Sequence, residues 1–232
     1  KLLSALAQTH VDRGEPDQAR ALLLETLTVA PDHGEAHLSL AHLLLSGGEY
    51  RAGWDEYEWR FREPGFQKFS SQFSQPVWNG MRLPDQRIMV AAEQGFGDAF
   101  QFARYLPMTA AMCAGLVVLC RPPQISLFSR IPGVESCIVS IGDGAGCAVW
   151  CGIASLPRLF ATTLDTIPPG AGYISAEPER IAAMASRLPS GGKRVGLAWA
   201  GNPDNGVDWR RSIPLSQLSA LSEIPGLTPV SL

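Results

Sequence analysis

The residues best equipped for chemistry stand in one stretch, Ala91–Pro107 (AAEQGFGDAFQFARYLP). The run before it, Arg87–Ala92, is short, apolar and partly β-branched, which reads as a buried strand. Gly95 and Gly97 then turn the backbone, and Asp98 falls at the expected N-cap of a helix whose apolar side carries Ala99, Phe102, Ala103 and Leu106. Strand, glycine turn and helix N-terminus together hold something negative or polar. Asp98 narrows the choice, because its carboxylate repels a phosphate in the same spot. Two roles stay open for it. As a cap it contributes about 0.5–2 kcal/mol; as a general base in a cleft it takes a proton from an acceptor hydroxyl. The two are compatible when one carboxylate oxygen stays free. Glu93 either assists this base or is tied to backbone amides.

A second chemically equipped loop runs from Gly201 to Ser212 and holds Asn202, Asp208, Arg210, Arg211 and Ser212 ahead of a helix expected from Leu215. Consecutive arginines before a helix N-terminus suit a diphosphate, since guanidinium forks and free amides both point outward. A solvated arginine pair beside an ordinary loop is the competing reading. The first loop superficially matches a dinucleotide fingerprint, but Phe100 takes the place of the third glycine and Cys120-Arg121 ends the next strand without an acid for a ribose. A nicotinamide enzyme is therefore a poor match, with Arg121 leaving only an NADP reading open.

The elements that must position these loops follow from the pattern. Leu116–Cys120, Ser136–Ile141, Ala148–Cys151 and Arg194–Ala200 read as further strands, with helices over Gln124–Arg130, Ser155–Phe160 and Glu177–Leu188. Strands separated by helices predict a parallel sheet, whose ligands bind beyond the carboxyl ends of the strands. Pro107 should kink or restart the helix after Leu106. The segment Pro189–Gly192 reads as the break between α/β units, with Thr228–Leu232 beginning another strand.

Ahead of the sheet, the chain repeats itself at an offset of 34: Leu6 aligns with Leu40, Ala7 with Ala41, and Gly14-Glu15 with Gly48-Glu49. Small residues where helices meet, glycines ending the first helix of each pair and the late Pro31 resemble the tetratricopeptide repeat. Such a stack offers either a groove for a protein partner or a spacer. Trp54, Tyr57, Trp59 and Phe61 read either as a ligand platform or, the commoner use of such a cluster, as a seal against the next domain, and residues 66–86 as an ordered linker anchored by Trp78. The histidines read as helix-face residues.

The chain has 232 residues, 46% hydrophobic and 18% charged, with a net charge of −3. That describes a protein with a real core and gives no support for nucleic-acid binding. No apolar run approaches the roughly 18–20 residues of a membrane span, and no secretory signal opens the chain. The five cysteines contain no CxxC pair and have no histidine nearby, so reduced core thiols in the cytoplasm are expected and no metal or cofactor is implied. Because Lys1 falls inside a helical pattern and the last unit stops after one strand and one helix, the sequence is expected to be excised from a longer one.

Repeats followed by EQGFGDAFQFARYLP, RVGLAWAGNP and RRSIPL resemble the bacterial tetratricopeptide-repeat glycosyltransferases, whose catalytic part is similar to the heptosyltransferase family. The resemblance implies a GT-B fold of two Rossmann-like domains. Its segments are helical repeats over 1–65, a linker over 66–86, an acceptor-side domain over 87–190 and the start of a donor-side domain over 191–232. It implies metal-independent transfer of a sugar from a nucleotide-sugar donor to a hydroxyl on a protein, glycan or lipid, with Asp98 as base. Glu93, Gln94, Gly95, Gly97 and Gln101 become candidate substrate contacts, and Asn202, Arg211 and Ser212 candidate donor-phosphate contacts. Arg211 stands where the family carries lysine, and Gln101 where it often carries histidine. Most of the donor site is expected beyond Leu232, leaving this segment inactive by itself. The alternative from another class is a non-catalytic interaction scaffold with a degenerate α/β part.

Overall fold

The computed structural model describes all residues except Lys1, Ala171, Asn205 and Val207, and the side chains of Leu2 and Ser4 are also outside that description. The expectation resting on Lys1 thus lies outside the described residues. They group into two compact units that divide between Ser175 and Ala176. This division precedes the Pro189–Gly192 segment expected from the sequence, so the helix at 178–187 belongs to the second unit.

The first unit opens with two helical hairpins, α1 (Leu2–Asp12) with α2 (Pro16–Val29) and α3 (Gly34–Ser46) with α4 (Tyr50–Tyr57). Gly14 and Gly48, 34 positions apart, both hold left-handed φ angles of 73° and 83° where the first helix of each hairpin ends. Ala7, Ala19, Leu23, Ala36, Leu40 and Leu44 are buried between the helices. A turn of 3-10 helix over Glu58–Arg62 and α5 (Pro64–Ser70) lead to the sheet.

The sheet is built from β1 (Leu83–Ala91), β2 (Cys113–Leu119), β3 (Val134–Ile138) and β4 (Val149–Gly152), all parallel in the order β3-β2-β1-β4. Between β1 and β2 lie α6 (Phe96–Phe102) and α7 (Leu106–Ala110), joined by a 3-10 turn, so the helix does restart at Leu106 ahead of Pro107. α8 (Ile125–Phe128) precedes β3, and α9 (Leu156–Leu159) follows β4. Strand alternation divides the core. Ile88, Val90, Leu116 and Val118 face Phe102, Leu106, Phe128 and Leu156, whereas Met89, Ala91, Val117 and Leu119 face Trp150 with Phe61, Phe69 and Phe73. Each fully buried aliphatic side chain contributes about 1.5–3 kcal/mol. Two members of the aromatic run reach the sheet domain, Trp54 meeting Phe102 edge to face at 5.7 Å and Phe61 meeting Trp150 at 6.1 Å, whereas Trp59 stacks on His37 of α3.

The second unit holds α10 (Pro178–Arg187), β5 (Lys193–Leu197) and β6 (Leu227–Ser231), the two strands pairing in parallel. The helix expected from Leu215 is a 3-10 run over Leu215–Glu223.

Candidate active site

The turn after β1 differs from expectation in one respect. Gly95, extended at φ −66° and ψ 169°, is the N-cap, and Asp98 stands three residues into α6. A glycine cap has no side chain for the helix's first amides, and only the reciprocal half of a capping box is made: Asp98 Oδ2 accepts the Gly95 N–H at 3.2 Å. Asp98 is exposed, and its other oxygen has no partner among the described residues. The condition for serving both as cap and base is met in its geometry. Gln101 lies one turn further on and shares the same helix face. Gln94 points the other way, donating to the Tyr57 hydroxyl at 2.7 Å.

In an open α/β sheet the ligand crevice lies where strand order reverses, here between the carboxyl ends of β1 and β4. That crevice is filled by protein. Glu93 Oε2 accepts the Ile153 N–H at 2.9 Å, and Arg60 Nη2 donates to Glu93 Oε1 at 3.0 Å and to Ser155 Oγ at 2.6 Å. Arg60 Nη1 donates to Glu58 Oε1 at 2.7 Å, and the guanidinium lies over Phe61 and Tyr57. The Glu93 side chain is fully buried in this pair and braces the loop from behind, while the residue itself borders the larger of the two cavities that flank the turn. Burial pushes the Glu93 carboxyl up, with Arg60 and two backbone amides pulling against it. Burial likewise opposes the Arg60 charge, but Glu93 and Glu58 more than restore it and raise its pKa. Gly152 is required beside this pair, because a Cβ there would run into Glu93 Oε1. Sequence reasoning missed Arg60; the signal was a lone cation inside the aromatic run YEWRF.

Two cavities flank the turn. One of about 480 Å³ touches Gly97 and Gln101 and is walled by Tyr50, Trp54, Arg104 and Tyr173. The other, about 620 Å³, lies beyond the ends of β1 and β2 against Phe69, Gln72, Cys120, Arg121 and Ser140. Arg121 donates to the Gln94 carbonyl at 3.4 Å and covers the Phe96 ring. Cys120 is held as a thiol, its hydrogen bond with Cys137 and its burial both raising its pKa. All five cysteines are free, and among the described residues no cluster of His, Cys, Asp or Glu is arranged to hold a metal. No helix among the described residues is long and apolar enough to cross a membrane.

The candidate phosphate residues belong to the second unit, where Asp208 holds Arg211 and Ser212 but not Asn202. Ser212 Oγ donates to Asp208 Oδ2 at 2.7 Å, Arg211 Nε donates to Asp208 Oδ1 at 3.3 Å, and the Gly201 N–H donates to Ser212 Oγ at 3.0 Å. Asn202 Oδ1 accepts the Asp204 N–H at 3.1 Å. Arg211 stays exposed, while Asp208 is largely covered.

The fold and site define a mixed helical and parallel-sheet α/β protein with a solvent-facing carboxylate on the first strand-to-helix turn. No protein-family model matches the chain. It is 27% identical over 212 residues to protein FlbA of Caulobacter vibrioides, matching 83% of this chain and 36% of that protein, so it spans about a third of that relative's length. Among solved structures, a mutant O-GlcNAc transferase of Thermobaculum terrenum aligns with 60% of this chain and 34% of its own, at 12% identity and a TM-score of 0.26.

Proposed function

We propose that this chain carries the acceptor side of a metal-independent GT-B glycosyltransferase that moves a sugar from a nucleotide-sugar donor to a hydroxyl. Asp98 carries the reading: one oxygen is tethered to the Gly95 amide, the side chain is exposed, and its chain neighbour Gly97 lines a cavity. In the step it serves, the Asp98 carboxylate takes the acceptor hydroxyl proton and becomes a carboxylic acid. The acceptor oxygen forms a bond to the anomeric carbon, and the nucleoside diphosphate leaves with the electron pair of the broken bond. The sequence resemblance supports the same role. Gly97 and Gln101 line the acceptor cavity, and Gln94 and Gly95 shape the turn. Glu93 acts indirectly, by holding the loop.

On the donor side, Asn202, Arg211 and Ser212 are assigned to the diphosphate. Asp208 already takes Arg211 Nε and Ser212 Oγ, so a diphosphate meets the exposed Arg211 through its Nη groups and reaches Ser212 only by displacing that bond. The helical hairpins, read as tetratricopeptide-type repeats, brace the acceptor side through Arg60 and Trp54. The donor reading is tested by thermal unfolding of the full natural chain against UDP, ADP, GDP and their sugars. A ligand at 100 times its dissociation constant adds about 2.7 kcal/mol, a clear rise in melting temperature. A rise with one nucleotide is expected and names the donor class. No rise with any makes the interaction scaffold the better reading.

A further inference from the structure

The 480 Å³ cavity is assembled from three distant parts of the chain: α4, the 97–105 segment, and Thr162, Ile167 and Tyr173. Its size falls within the range of about 300–1,000 Å³ typical of small-molecule sites. Tyr50, Trp54 and Tyr173 give it aromatic walls, while Gln101, Arg104 and Thr162 give it an amide, a guanidinium and a hydroxyl. The walls are fixed without a ligand. The Tyr173 hydroxyl donates to the Phe100 carbonyl at 2.9 Å, and Trp54 is held edge-on against Phe102 and Tyr57. The Trp54 indole N–H is buried with no acceptor among the described residues, an unpaired donor that costs stability as it stands.

The electrostatics are one-sided. Among the described residues no carboxylate lines the cavity, in a chain of net charge −3. Arg104 lies over the Tyr173 ring at 5.3 Å and donates only to the carbonyls of Gln101 at 3.0 Å and Pro168 at 3.5 Å. It has no acidic partner among the described residues. Flat aromatic faces beside hydroxyl-binding amide and guanidinium groups match a sugar ring, which has apolar faces and a polar rim. A guanidinium without a carboxylate matches an anion.

Resting on the glycosyl-transfer reading, we propose that this cavity is the acceptor subsite and takes a pyranose carrying an anionic substituent. The ring lies against Tyr50 and Trp54, its hydroxyls meet Gln101 and Thr162, and its anionic group pairs with Arg104. Gly97, next to Asp98 in the chain, and Arg104 both line the cavity, on either side of Gln101 in sequence. In this placement the reacting hydroxyl is turned toward the Gly97 side and Asp98, and the anion toward Arg104. The second helical hairpin thereby determines acceptor specificity through Tyr50 and Trp54.

Calorimetric titration of the full natural chain with methyl glucoside, glucuronate and glucose 6-phosphate tests this, alongside initial transfer rates. Both anionic sugars should bind at least tenfold tighter than the neutral one, and their ranking tells a carboxylate ligand from a phosphate ligand. Arg104→Gln should erase that preference with an unchanged circular-dichroism spectrum. Tyr50→Leu, which leaves the Trp54–Phe102 packing in place, should weaken all sugars alike. Equal binding of neutral and anionic sugars, or an Arg104→Gln chain that keeps the preference, overturns the anionic assignment. Absence of sugar binding overturns the subsite. The two readings fail separately. If Asp98→Asn abolishes transfer while Arg104→Gln and Tyr50→Leu leave the acceptor KM unmoved, the subsite is wrong and the transfer reading stands. If the sugars bind as expected but Asp98→Asn transfers like the parent, the subsite stands and the base is elsewhere.

Discussion

The molecule contains two loops that each follow a parallel strand and each present an aspartate, and they use that aspartate oppositely. After β1, Asp98 spends one oxygen on the Gly95 amide and keeps the other open. In the second unit, Asp208 spends both oxygens, on Ser212 and Arg211, and its backbone carbonyl accepts the amides of the same two residues. The first loop is held from behind, by the buried Glu93–Arg60 pair, so its own carboxylate gives only one oxygen to support. The second has no such brace among the described residues and is tied together by its acid. A carboxylate becomes available for chemistry when other groups do its structural work.

The largest expected effect breaks the brace. Arg60→Ala leaves the Glu93 carboxylate buried without its cation and should cost about 3–5 kcal/mol in denaturant unfolding of the first unit. Arg60→Ala combined with Glu93→Gln should recover part of that loss. Asp208→Asn removes charge-assisted bonds to a half-exposed arginine and a serine, so a loss of about 1 kcal/mol is expected, read as faster amide exchange at Arg211 and Ser212. Gly95→Ala is smaller still. Its backbone angles suit alanine, but the new Cβ comes within 3.1 Å of Asp98 Oδ2, so the tether loosens by about 0.5 kcal/mol and the carboxylate becomes more mobile.

The smallest effect lies away from both loops. Arg87 holds Glu135 by three hydrogen bonds and lowers its pKa. A depressed carboxylate stabilises the fold above its unfolded pKa and loses that contribution as pH falls through its folded value. Glu135→Gln should therefore remove a slight acid-side loss of stability without touching either loop, visible in melting curves taken from neutral pH to the acid range.

The strands and the turn at Asp98 were legible because each is written locally: apolar runs of five or six residues, then glycine-x-glycine-aspartate. The first half of β1 was not, since Leu83–Gln86 is mostly exposed and polar there and joins the strand through an irregular pairing with β2 at Leu83 and Cys113. The start of α6 was misplaced by three residues because a glycine at the cap carries no side-chain signal. The cavity beside Asp98 was illegible for a different reason. Tyr50, Trp54, Arg104 and Tyr173 converge from positions up to 123 residues apart, and no periodicity connects them. Arg60 was hidden by its type, since an arginine in an aromatic run reads as surface until a buried glutamate is found opposite it.

The most direct measurement is sugar transfer by the full natural chain, comparing Asp98→Asn with Asp208→Asn at matched folding. Asparagine keeps the cap bond to Gly95 but cannot accept a proton, so Asp98→Asn should lower kcat by about 10²–10⁴-fold with an unchanged melting temperature. Asp208→Asn should leave kcat within tenfold of the parent and act mainly on the donor KM. An Asp98→Asn chain that transfers at the parent rate would contradict the account.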